Sequence, residues 1–110
     1  MPIIIQVEKV TQWMPITIPT PHYYKHDISS DDGSYDSIIF GKITDDYTIC
    51  VQKTVKENDD EVSYEVVRED KPNFNSHKEY LTNTKYASNK DEFDEALSEM
   101  KKFLEQEATK

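Results

Sequence analysis

His22 and His26 stand four residues apart with Asp27 beside the second, the spacing at which two imidazoles on one helical turn can hold a metal. Pro19 and Pro21 lie just upstream and argue against a helix there. On extended chain the two rings are far apart, and His77 is remote in sequence. No metal is expected, and the histidines are read as bystanders. Carboxylates come in pairs at Asp31 and Asp32, Asp45 and Asp46, and Asp59 and Asp60, with Glu95 and Glu99 on a predicted helix. Acid–base catalysis needs a carboxyl whose environment shifts its pKa. These acids fall in turns or on an outer helix face, where water solvates them. Asp27 to Ser34 has too few oxygen ligands at the right spacing for an EF-hand. Cys50, the single cysteine, cannot form an intrachain disulfide, and no His or basic residue flanks it to activate the thiol. Gly33 and Gly41 are the only glycines, so there is no phosphate-binding loop, and no Gly-x-Ser-x-Gly motif occurs. These residues predict a protein that is not an enzyme, with no catalytic residue and no cofactor.

Aromatic residues offer a different chemistry. Trp13, His22, Tyr23 and Tyr24 fall among Pro15, Pro19 and Pro21, with Tyr35 not far beyond. Trp and Tyr dominate interface hot spots because a rigid ring buries a large area. The four residues from Trp13 to Tyr24 are therefore the candidate partner-binding set, on an extended arm that either packs on its own domain or docks on another chain. A homodimer with Trp13 and Tyr23 or Tyr24 near the interface is the sharper expectation.

The elements that must position these residues centre on 36–68, read as a three-stranded antiparallel meander. Tyr47, Ile49, Val51 and Val55 share one parity, and Thr48, Cys50, Gln52 and Thr54 share the other, which predicts a half-buried strand with its polar side outward. Ser37 to Thr44 is apolar on both parities, as in a strand covered twice. Val62, Tyr64 and Val66 alternate with Ser63 and Glu65 in a third strand running to about Arg68. Ile3, Ile5 and Val7 form the inward face of an N-terminal strand, and Trp13 to Ile18 an edge strand or arm. A short strand is expected around 79–82. Ser88 or Asn89, followed three residues later by Asp91 or Glu92, makes a capping-box start for a helix over 89–107. Phe93, Ala96, Leu97, Met100, Phe103 and Leu104 form its apolar stripe. The predicted fold is one α+β domain over 1–110: an antiparallel sheet of four to five strands, covered on one face by the C-terminal helix.

Composition narrows the partners. Of 110 residues, 35% are hydrophobic and 32% charged, and 13 basic against 22 acidic residues give a formal charge of −9. A monomer is expected to carry more core, which leans towards self-association. The charge disfavours nucleic-acid backbones and anionic membranes. No run of about 18 apolar residues occurs, and Met1 to Val10 lacks a basic stretch and a cleavage site. A cytoplasmic location is the default expectation. The element order from Asp36 to Glu107, antiparallel strands and then a helix, resembles single-stranded nucleic-acid-binding folds of the Whirly and PUR type. That resemblance implies a nucleic-acid module, which would need a basic groove. A third reading is an acidic nucleic-acid mimic that occupies the DNA site of another protein. The leading expectation is a small protein–protein interaction or self-associating module.

Overall fold

The computed structural model describes residues 2–9, 12–56 and 61–108, with side chains throughout except at 8, 9, 12–14 and 108. Four strands, β3 (His22–Asp27), β4 (Tyr35–Ile43), β5 (Tyr47–Lys56) and β6 (Glu61–Asp70), form one antiparallel sheet in that spatial order. The meander is present, and the segment after Pro21 joins it as a fourth strand. β1 (Ile3–Lys9) and β2 (Gln12–Ile18) form a separate two-stranded sheet among the described residues. Pro15, opposite Gln6, sits in a two-stranded ribbon, where a missing donor costs little.

The α+β architecture holds, with one more covering layer than the sequence predicts. On one face, α2 (Lys90–Ala108) lays Phe93, Ala96 and Met100 onto Val51, with Phe40, Ile49, Tyr64 and Leu97 around them. The other face is not left to solvent. Ile3 and Ile5 of the hairpin pack there with Tyr24, Ile43 and Leu81. The supposedly outward parity of β5 is therefore covered too: Thr48 is buried and Cys50 half-buried. Where Ser37 is buried, its Oγ lies 3.0 Å from Thr54 Oγ1 and accepts from Gln52 Nε2 at 2.9 Å, which satisfies the hydroxyl.

The short strand expected at 79–82 is a helix instead. A 3₁₀ turn over Phe74–His77 runs into α1 (Lys78–Thr82), and a second covers Thr84–Tyr86. Asn73 and Asn83 cap the two 3₁₀ turns with their side chains. Leu81 is buried because this compact winding brings it down onto the hairpin and sheet. At the start of α2, Asn89 Oδ1 accepts from the Glu92 N–H at 2.9 Å, and Glu92 Oε1 accepts from Ser88 Oγ at 3.1 Å. Asn89 is the cap, as the motif allows. The far end of the predicted stripe does not reach the sheet: Phe103 packs on Tyr64 at 5.1 Å, but Leu104 is 54% exposed.

Candidate functional site

A strand's period of two puts His22, Tyr24 and His26 on one face of β3, and Tyr23 and Lys25 on the other. Tyr24 stands opposite Gly41, and its ring lies directly over that residue because glycine carries no side chain to push it away. Tyr80 stacks on Tyr24 with centroids 4.0 Å apart and planes 8° from parallel. Tyr86 meets Tyr80 edge-on at 5.3 Å, and the His26 ring lies 4.7 Å from Tyr86. His26 Nδ1 is 3.0 Å from the Tyr80 hydroxyl, and His22 Nε2 donates to the Tyr80 carbonyl at 2.7 Å. The two histidines thus share a partner without sharing a site. Four residues of strand separate them by roughly 13 Å, and the Nε2 of His22 is spent on a carbonyl. His77 faces Glu69 instead, at 3.6 Å.

The electrostatics of this cluster suit packing more than reaction. Burial, reinforced by Cys50 and Tyr80, pushes the Tyr24 phenol far above its usual 10.0. Burial likewise pushes the Cys50 thiol up. Both groups stay protonated at neutral pH, the opposite of an activated nucleophile.

Of the four residues expected to bind a partner, Tyr24 is buried at 6% exposure beneath Tyr80. Tyr23 turns to the helix side and meets Phe93 at 5.8 Å. His22 is half-buried on the first face. These three side chains make contacts within the chain, on a strand that pairs with the edge of β4. The backbone of Trp13 pairs with Glu8 in the hairpin, and its side chain lies outside the described residues.

Between α2 and the sheet runs a cleft of about 310 Å³ floored by Ile38, Phe40, Val55 and Ala96. The pairs Lys25–Glu92 at 3.0 Å and Lys53–Glu99 at 3.5 Å stand at its rim. The hydrogen bond from Lys25 is the main reason Glu92 is held below the usual carboxylate range.

The remaining surface of note is the second edge of the meander. At the β3 side of the sheet, Tyr24 bridges to Ala87 and the Ser88 N–H donates to the Tyr23 carbonyl at 3.3 Å, so that margin is partly occupied. At the β6 side, no described strand continues the sheet. Val66 and Val67 point to opposite faces and are 44% and 51% exposed. An apolar pair on a long open edge is the feature natural sheets usually suppress. The signal was available in outline: a three-stranded meander has two edges, and the arm could cover only one. Compared with protein-family models, curated proteins and solved structures, the chain matches none of them.

Proposed function

We propose that this is a non-enzymatic interaction module whose working surface is the outer edge of β6, to which a protein partner adds an extended strand. The observation that carries the reading is the open edge itself, Glu61–Asp70, with exposed Val66 and Val67 at its centre. Main-chain donors and acceptors along such an edge supply affinity, and alternate side chains supply selectivity. Charged residues along the strand, Glu61, Glu65, Arg68, Glu69 and Asp70, would choose among partners. The protonated Tyr24 and Cys50 support a role without chemistry of its own. Single-strand binding fits less well, since Tyr24, Tyr80 and Tyr86 stack on one another instead of presenting faces to bases. Among the described residues no helix is long and apolar enough to cross a membrane. A cytoplasmic setting is part of the proposal.

The test is affinity capture from the native host with three baits: wild type, Val66→Lys/Val67→Lys, and Glu105→Lys on the exposed end of α2. A bound protein lost only from the edge variant supports the reading. Capture that is the same with all three baits refutes it.

A further inference from the structure

We infer that the occupant of the β6 edge is a second copy of this chain, paired antiparallel about a twofold axis at Val66 to make one continuous eight-stranded sheet. The inference rests on the edge reading above and adds the partner and the register. Two antiparallel copies of a strand, related by a twofold axis normal to the sheet, keep each side chain on its own face. Residue numbers facing each other must then have the same parity. With the axis at Val66, that residue meets itself, Tyr64 meets Arg68 of the second copy, and Glu65 meets Val67. Ser63 meets Glu69 and Val62 meets Asp70. No like charges face each other anywhere along residues 62–70.

The neighbouring registers are worse. An axis at Glu65 sets that carboxylate against itself and Glu61 against Glu69. An axis at Val67 sets Glu65 against Glu69 twice, and one at Arg68 opposes two guanidinium groups. Like charges directly opposite across a ladder are destabilising. An axis at Tyr64 avoids such clashes but overlaps only residues 61–67 of the strand. The strand's own charge pattern therefore selects one self-pairing.

Shape and area point the same way. The accessible surface is 7617 Å², against about 6300 Å² expected of a compact monomer of this mass. The radius of gyration is 16.2 Å, against about 13 Å for a compact globule of this length. The chain is elongated, with surface to spare for a partner. Opposing the association is the formal charge of −9 on each copy, a repulsion that salt screens.

The salt response separates this occupant from a basic partner. Sedimentation equilibrium of the full chain should show a monomer–dimer equilibrium that tightens several-fold between about 0.05 M and about 0.5 M salt. A basic partner would be released by the same change. Val66→Cys in a Cys50→Ala background should form a disulfide dimer on mild oxidation, since facing strand residues lie within disulfide reach. Val67→Cys should cross-link far more slowly, because it faces Glu65. A wild type that stays monomeric at millimolar concentration and high salt overturns the inference, even if edge-dependent capture of another protein leaves the edge reading standing. A dimer unchanged by Val66→Lys, or one in which Val67→Cys cross-links as fast as Val66→Cys, overturns it as well. If neither capture nor mass responds to any substitution at 66 and 67, the edge reading fails with it.

Discussion

Gly41→Ala tests the closest approach in the sheet. A Cβ at this position would come within 2.5 Å of the Tyr24 hydroxyl oxygen and nearer still to two ring carbons. The ring cannot simply lift, because Tyr80 stacks on it at 4.0 Å. Forcing a methyl into a packed site costs about 1–3 kcal/mol, and disturbing an aromatic pair about 0.5–1.5 kcal/mol. Against this, alanine restricts the unfolded chain and recovers about 0.4–1 kcal/mol. The net expectation is a loss of about 1.5–3 kcal/mol, a sizeable part of a stability of about 5–15 kcal/mol. Urea unfolding followed by circular dichroism should show a lower midpoint with an unchanged slope. In a Tyr24→Leu background, where no ring covers residue 41, the same substitution should cost little or nothing. A coupling above about 1 kcal/mol in this double-mutant cycle would locate the penalty in the ring contact. Equal costs in both backgrounds, or a single variant within about 0.5 kcal/mol of wild type, would refute the reasoning.

Leu97→Asp places a charge against the Val51 and Phe93 cluster and should lower stability by about 2–4 kcal/mol; a surface-like effect in urea unfolding would contradict the packing. Glu92→Ala should cost about 1 kcal/mol through loss of the hydrogen bonds its carboxylate accepts from Ser88 and Asn89, with little added by its half-exposed ion pair to Lys25. Because the folded Glu92 carboxyl lies below its usual 4.5, that deficit should be present at neutral pH and fade as pH falls below about 4.5. Tyr24 and Tyr80 are both held protonated in the fold, whereas the unfolded chain ionises near 10.0, so stability should decline as pH rises above 10.0. Phenolate absorbance that reports full titration of both rings before unfolding would count against their burial. Titration calorimetry with zinc or nickel should reveal no site tighter than about 10⁻⁵ M, a weak-sensor range; sub-micromolar binding abolished by His22→Ala would reverse the reading of the histidines.

Local patterns carried most of the fold. The alternation in β5 and β6, the double-faced apolar run of β4 and the Asn89–Glu92 capping box each specify their own element, and each element formed close to its expected bounds. What period alone could not reveal was which polar residues would be covered. Thr48 falls on the parity read as polar and outward, yet hairpin and sheet neighbours bury it. Residues 78–82 misled for a related reason: a single helical turn is too short to show a period, and Leu81 takes its place from tertiary contact. The aromatic arm was recognised as unusual, but nothing local told Tyr24 to seek Gly41. That match joins two elements, and it is visible only once the β3–β4 register is known.

The ion pair between Lys25 and Glu92 closes a loop of 67 positions along the chain, and that has a consequence during synthesis. A ribosome adding about 5–20 residues per second makes Lys25 roughly 3–13 s before its partner on α2 exists. The β4–β5 hairpin needs only microseconds once both strands have emerged. In a growing chain, the sheet face that α2 covers is therefore closed well after its strands have paired. For those seconds Phe40 and Val51 lack the helix that covers them, and Tyr24 has Gly41 beneath it without Tyr80 above. A translational pause before residue 90 would prolong this state, with an apolar face open. Any protection the nascent chain receives is needed most in that interval, after the meander has formed and before its C-terminal cover arrives.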